Sequence, residues 1–130
     1  ETVLTVVALL MRVLASLNLR CNNLDVRDGE ILADVLKTNP QLTELDLMDN
    51  RLGSDGGKHI ADALLRNRRL RQLNLVNNHI GVDSALAIFK SLEQNSTLTK
   101  LSLRHNNLDD RTKRKFVALA QERKNLEMVV

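Results

Sequence analysis

Few residues of this sequence have the types and spacing that catalysis or metal binding requires. Three histidines, His59, His79 and His105, lie in different parts of the chain, and none stands beside an obvious nucleophile. The sequence contains no glycine-rich loop of the kind that holds phosphates, and Cys21 alone makes no metal site. It therefore predicts a protein that is not an enzyme, with no catalytic residues and no metal or cofactor.

The sequence supports the binding of another protein better than it supports catalysis or metal binding. Met48 and Val76 lie 28 residues apart, and Arg20 and Arg104 continue the same spacing on either side. An apolar centre with a charged rim is the usual anatomy of a protein-binding patch. The alternative is that two apolar surface residues are ordinary, because folded proteins expose much apolar area. The candidate partner-binding residues are Arg20, Glu44, Asp46, Met48, Asp49, Asn74, Val76 and Arg104.

The spacing that places these residues side by side is a repeat of 28 residues. Residues 42–52 have the pattern L-x-x-L-x-L-x-x-N-x-L, which recurs at 14–24 and 98–108 and, with a final isoleucine, at 70–80. No insertion separates the copies, and Leu126 with Val129 begins a fifth copy at the same spacing. A fixed period of about 20–50 residues indicates a stacked repeat array.

Each copy predicts a short strand followed by a turn. Leucines at the first, fourth and sixth places of the pattern point inward, and the places between them face solvent. The asparagine at the ninth place follows the strand, where its amide can satisfy backbone groups of neighbouring repeats. We therefore interpret four asparagines as structural: Asn22, Asn50, Asn78 and Asn106.

Amphipathic helices connect the predicted strands. Ile31, Leu32, Val35 and Leu36, for example, form one apolar stripe toward the strands. Where the helices should end, asparagine recurs, and we expect a left-handed backbone there. These positions are Asn39, Asn67 and Asn95.

A gapless 28-residue unit of this pattern followed by a helix resembles the ribonuclease-inhibitor-type leucine-rich repeat, from about residue 3 to residue 130. The resemblance implies an α/β solenoid with short parallel strands on the concave face and helices on the convex face. The same repeat type occurs in intracellular immune receptors, Ran GTPase-activating proteins, tropomodulin-like actin caps and axonemal proteins. Resemblance to the Ran GTPase-activating group would give Arg20 or Arg104 the task of supplying charge to a GTPase. The long acidic tail expected in that group is absent.

We predict that the chain forms a single domain, 1–130, which the period divides into repeats. Four repeats cover 14–41, 42–69, 70–97 and 98–125, with 1–13 as the end of a preceding repeat or N-terminal cap and 126–130 as the start of a final strand. Residues 1–13 are too short to span a bilayer. Val6, Leu9, Leu10 and Met11 occupy places that are polar in later copies, so we expect a larger assembly to cover them: a cap, upstream repeats or a partner subunit.

Charge is distributed unevenly along the chain. Residues 1–65 carry six basic and ten acidic side chains, whereas residues 66–130 carry thirteen and six. Phosphate groups or anionic lipids could bind the basic cluster, but the chain has no Trp or Tyr for base stacking, and a solvated face is the favoured interpretation. Nucleic acid is therefore not an expected partner. The basic cluster comprises Arg66, Arg68, Arg69, Arg71, Arg111, Lys113, Arg114, Lys115, Arg123 and Lys124.

Together these features predict an intracellular scaffold or protein-interaction module that binds a protein partner on its strand face. The single cysteine excludes an intrachain disulfide and favours a reducing, cytoplasmic location. A GTPase-activating regulatory surface is the alternative from another functional class.

Overall fold

The computed structural model describes residues 3–38 and 41–130, which fold into helices and strands that alternate along the chain. The helices are α1 (Val3–Met11), α2 (Val26–Thr38), α3 (Gly53–Arg66), α4 (Val82–Gln94) and α5 (Asp110–Glu122). The strands are β1 (Ser16–Asn18), β2 (Glu44–Asp46), β3 (Gln72–Asn74), β4 (Lys100–Ser102) and β5 (Glu127–Val129). Among these residues, no helix is long and apolar enough to cross a membrane.

The strands form one parallel sheet in the order β1-β2-β3-β4-β5, and their inward leucines share one hydrophobic core with the helices. Leu45, Leu73 and Leu101 occupy the middle of their strands and are buried at 2%, 2% and 0% exposure. From β1 to β4, each strand residue pairs with the residue 28 positions later, so equivalent places lie side by side. The predicted α/β solenoid with parallel strands is confirmed.

The register changes at the last strand. Lys100 pairs with Glu127 and Leu101 with Met128, a spacing of 27 residues. The connection from α5 to β5, residues 123–126, is one residue shorter than the preceding connection, residues 95–99. The expectation that Val129 occupies the inward fourth place is therefore wrong, because Met128 lies there and Val129 pairs with Ser102.

Small residues allow the central helices to approach one another closely. A Cβ atom on Gly29 of α2 would lie 3.2 Å from the Cα of Gly56 in α3. On the other side of α3, a Cβ atom on Gly57 would lie 3.0 Å from the Cβ of Ser84 in α4. The three central helices consequently form the most extensive helix contacts in the described residues.

The asparagines at the ninth place join successive repeats. The Nδ2 of Asn50 donates to Leu19 O of the preceding repeat at 3.0 Å, and its Oδ1 accepts from the backbone N–H of Asn22 and Leu24. The Nδ2 of Asn106 repeats the first contact with Leu75 O at 2.9 Å. The structural interpretation is confirmed for these buried or half-buried amides, while Asn22 is exposed and donates within its own repeat to Arg20 O.

A second set of asparagine side chains lies at the helix ends. The expectation of a left-handed backbone at these residues is wrong for the two that the structure describes. Asn67 and Asn95 have extended backbones, with φ of −73° and −114°. They end the helices through their side chains instead: the Nδ2 of Asn67 donates to Leu36 O at 2.7 Å, and its Oδ1 accepts from the N–H of Leu70 at 2.7 Å. Asn39, the third of these positions, lies outside the described residues.

Aspartates begin two of the helices. Asp25 and Asp28 each accept the backbone N–H of the other, at 2.9 and 3.2 Å, and so cap the start of α2. The backbone N–H of Asp28 lowers the pKa of the Asp25 carboxyl. At α5, the Asp109 carboxylate accepts from Thr112 N at 2.8 Å, and its hydrogen bonds to Thr112 lower the pKa of Asp109.

Candidate functional site

The outward side chains of the strands line a shallow groove of about 320 Å³ on the sheet face. They come from the third and fifth places of the pattern, and the sheet register aligns them in two rows that cross the strands. The third-place row is Ser16, Glu44, Gln72 and Lys100, and the fifth-place row is Asn18, Asp46, Asn74 and Ser102. We call this surface the strand face.

Fifth-place side chains have a structural task on this face. The Oδ1 of Asn18, Asp46 and Asn74 accepts a hydrogen bond from the backbone N–H two residues later, at 3.0 Å in each repeat. Such turns are typical of Asn and Asp. Two of the candidate residues, Asp46 and Asn74, therefore hold the chain as it leaves the strand, besides lining the groove.

Arg20 is held against the strand face by neighbours in the next repeat. Its Nε lies 3.3 Å from Asp46 Oδ2, and its Nη2 contacts the sulfur of Met48. Both charged side chains keep some exposure, 45% for Arg20 and 28% for Asp46. The structure thus brings three of the candidate residues together, and Met48 is half-buried as a result.

Val76 does not form the predicted apolar centre. It is 8% exposed and therefore offers almost no surface to a partner. The hypothesis of an exposed apolar patch formed by Met48 and Val76 is therefore wrong. The strand face is polar, and its exposed candidate residues are charged.

The eighth places form a further row with an unusual backbone. Cys21, Asp49, Asn77 and His105 all have positive φ, from 54° to 59°. Asp49 accepts from Asn77 Nδ2 at 2.9 Å, and the thiol of Cys21 lies 3.7 Å from its other oxygen. Sequence reasoning did not identify this backbone, although Asn, Asp and His are the residues other than glycine that adopt it most often.

Glu44 and Arg104, the remaining candidates, are exposed. Glu44 shares its row with Gln72 and Lys100, which also line the groove but were not among the candidate residues. Lys100 forms a loose ion pair with Glu127, at 3.8 Å. The signal that identifies Gln72 and Lys100 is their common third place in the pattern.

The histidines lie apart from this face or at its end. His59 belongs to α3, where its Nε2 lies 3.5 Å from Glu30 Oε2 of α2, while His79 and His105 follow strands. Within residues 3–38 and 41–130, no cluster of three or more His, Cys, Asp or Glu side chains has an arrangement that could hold a metal.

Two members of the basic cluster are tied to helix ends. Arg68 donates to Asn67 O at 3.0 Å and to Gln94 O at 3.3 Å, at the C-termini of α3 and α4. Arg123 donates to Asn95 O at 3.0 Å, where α4 ends. Cations at helix C-termini are favourable because the unpaired carbonyl groups there carry partial negative charge. These contacts were not predicted from the sequence.

The first helix carries exposed apolar residues, as expected, but not all of those predicted. Val6, Leu9 and Leu10 are 56%, 63% and 42% exposed, whereas Met11 is fully buried. Met11 takes the inward place that Asn67 occupies two repeats later, so its inclusion in the exposed patch is wrong. The places equivalent to Val6 stay exposed in every later helix: Asp34, Asp62, Lys90 and Ala118.

Comparison with known proteins relates the chain to one repeat class. A protein-family model described as "Leucine Rich repeat" matches residues 38–61, 66–89 and 94–111, about half of the chain. No curated protein sequence matches the chain.

Two solved structures share the architecture. The chain is similar to the leiomodin-1 actin-binding site 2, with 25% sequence identity and a TM-score of 0.82, over 97% of this chain and 75% of that chain. It is also similar to the C-terminal domain of tropomodulin from Caenorhabditis elegans, with 12% identity and a TM-score of 0.81, over 98% of this chain and 81% of that chain. At 12% identity the second likeness shows the fold alone.

Proposed function

The chain belongs to the leucine-rich-repeat family, and on that premise we propose that it is a non-enzymatic module whose strand face binds a protein, with actin as the first candidate partner. The observation that carries the proposal is the likeness to leiomodin-1 actin-binding site 2 along almost the entire chain. An actin partner would also fit the cytoplasmic location expected from the single cysteine.

The form of the strand face supports this proposal. Its groove is shallow and open, lined by side chains from four neighbouring strands, which suits a broad protein contact better than an enclosed small molecule. Glu44, Gln72 and Lys100 project from this face and are exposed. Their side chains are available to a partner without disturbing the leucine core.

The GTPase-activating alternative depends on Arg20 or Arg104 reaching a nucleotide. In the structure Arg20 pairs with Asp46 and contacts Met48, so it would have to leave both residues to reach a nucleotide. Arg104 is exposed. Exposure alone does not distinguish Arg104 from the other exposed arginines, so the alternative has no specific support.

The test is binding to purified actin, as labelled monomers in a fluorescence anisotropy assay and as filaments in cosedimentation. The test variant is Glu44→Ala/Gln72→Ala/Lys100→Ala, which removes the third-place side chains. Its matched control is Lys90→Ala/Glu93→Ala/Gln94→Ala on the exposed side of α4, which removes one base, one acid and one amide. We expect the strand-face variant to bind at least about tenfold more weakly and the control to bind like the wild type, because a few central residues carry most binding energy.

Two results would contradict the proposal. If the wild type binds neither monomers nor filaments, actin is not the partner. If the strand-face variant and the control variant both bind as well as the wild type, the strand face is not the binding surface.

A further inference from the structure

The third-place row carries charges of opposite sign at a fixed separation. Glu44 of β2 pairs in register with Gln72 of β3, which pairs with Lys100 of β4. Neighbouring strands lie about 4.8 Å apart, so the backbones of the acidic and basic residues are roughly 10 Å apart. The third-place and fifth-place side chains of the strand between them are both uncharged amides, Gln72 and Asn74.

The existing ion pairs of this face point away from its centre. Arg20 pairs with Asp46 from the β1 side, and Lys100 pairs with Glu127 on the β5 side. The Lys100–Glu127 pair is loose at 3.8 Å, both pairs are partly exposed, and exposed ion pairs contribute little to stability. The carboxylate of Glu44 and the ammonium of Lys100 can therefore turn toward charges that a partner places over β3.

The backbone of these strands restricts the type of partner segment. β2, β3 and β4 are each hydrogen-bonded to a strand on both sides, so this part of the sheet has no free edge for an extended peptide. A segment that lies on the face of the sheet receives no backbone hydrogen bonds from these strands, and an α-helix satisfies its backbone internally. Seven residues of helix rise about 10.5 Å and return to the same side of the helix, which matches the separation of Glu44 and Lys100.

We propose that the strand face accepts an α-helix that crosses β2, β3 and β4 and carries a basic and an acidic residue seven positions apart. The basic residue lies over Glu44 and the acidic residue over Lys100. This inference rests on the proposed protein-binding function of the same face, and it specifies the partner's secondary structure and charge spacing.

The test uses labelled, helix-stabilised peptides that are identical except at two positions seven residues apart. These positions hold Lys and Glu, Lys and Lys, or Glu and Glu. Anisotropy is measured with the wild type, Glu44→Lys, Lys100→Glu and the double exchange Glu44→Lys/Lys100→Glu. Thermal unfolding of each variant checks that the fold is retained.

We expect the wild type to bind the Lys/Glu peptide about three- to tenfold better than either like-charged peptide at 50 mM salt, with less preference at 500 mM. Glu44→Lys should prefer the Glu/Glu peptide, and Lys100→Glu should prefer the Lys/Lys peptide. The double exchange should again prefer the Lys/Glu peptide, because the helix can lie in the reverse direction. An effect of net charge alone predicts that the double exchange and the wild type are alike but gives neither a preference for the mixed peptide.

The proposal is overturned if the single variants do not switch preference, or if the wild type binds none of the peptides at millimolar concentration. It also fails if a Lys/Glu peptide with the charges four residues apart binds as well as the seven-residue spacing. Actin binding that depends on the third-place row, without these peptide preferences, would reject the helix and retain the protein-binding face. If the peptide preferences are observed without actin binding, actin is rejected as the partner and the helix-binding strand face is retained.

Discussion

The side-chain Nδ2 of Asn67 donates a hydrogen bond to the backbone oxygen of Leu36, one repeat earlier, at 2.7 Å. The same amide accepts from the backbone N–H of Arg69 and Leu70, so a single buried side chain satisfies both the end of α2 and the approach to β3. Asn95 repeats the arrangement with Leu64 O at 2.8 Å and adds a bond to Asn67 O at 3.0 Å. These amides connect the repeats on the side of the core away from the ninth-place asparagines.

Asn67→Ala should lower the free energy of unfolding by about 2–4 kcal/mol, because it leaves buried backbone donors and an acceptor unpaired. Urea denaturation followed by circular dichroism measures the change. The control is Gln121→Ala, an exposed polar side chain near the end of α5, for which we expect a change below about 0.5 kcal/mol. Equal stability of the two variants would contradict the prediction, because it would mean that water forms hydrogen bonds with the backbone groups that Asn67 satisfies in the wild type.

Gly57→Val should separate α3 from α4. The added side chain would meet Ser84 and Ile80, and overpacking of this kind costs about 1–3 kcal/mol. Lys58→Val places the same β-branched residue at the next, exposed position of the helix, where it meets no neighbouring helix; its lower helix propensity works against the prediction, because valine improves on glycine but not on lysine. Thermal unfolding of the pair checks the prediction, and a larger loss for Lys58→Val would contradict it.

Val76→Asp should destabilise the fold and not merely block binding. Val76 is 8% exposed, so the carboxylate would be largely removed from water without an established partner. We expect a loss of at least about 2 kcal/mol in urea denaturation, whereas Gln72→Asp, at an exposed position of the same repeat, should cost less than about 1 kcal/mol. A fully stable Val76→Asp variant would restore the hypothesis of an exposed apolar centre.

The ion pair between Lys37 and Asp62 should make stability depend on acid pH. Lys37 Nζ lies 2.8 Å from Asp62 Oδ2, and its hydrogen bond lowers the pKa of the Asp62 carboxyl below the ordinary 3.8. Because the folded pKa is the lower one, the stabilisation is present above pH 3.8 and is lost as pH falls through the folded value. Asp62→Asn should therefore cost about 0.2–1 kcal/mol at pH 7 and almost nothing at pH 2.

Urea denaturation of wild type and Asp62→Asn at both pH values checks this prediction. Glu93→Gln, an exposed acid of α4, has the same change of net charge and serves as the control. A difference between wild type and Asp62→Asn that is larger at pH 2 than at pH 7 would have the wrong sign and would exclude this contribution of the pair.

Much of the architecture follows from the spacing of the leucines and asparagines. An alternating strand pattern decides which side chains point inward, and this holds for Leu45, Leu73 and Leu101. The 28-residue period likewise predicted that Asn50 and Asn106 join neighbouring repeats, because equivalent places in a stack lie side by side. The third-place row across the strand face follows from the same period.

Tertiary structure decided how deeply the outward residues are buried and which of them are already occupied. Val76 is buried although its place in the pattern points outward, and Arg20 is held by Asp46 of the next repeat. The change of register at Met128 depends on the connection before β5, which is one residue shorter than the connection before β4. The sequence does not reveal this change, because Leu126 still follows Leu98 by 28 residues. A local pattern determines the direction of a side chain, whereas its exposure and its partners depend on the size and chemistry of residues about 28 positions away.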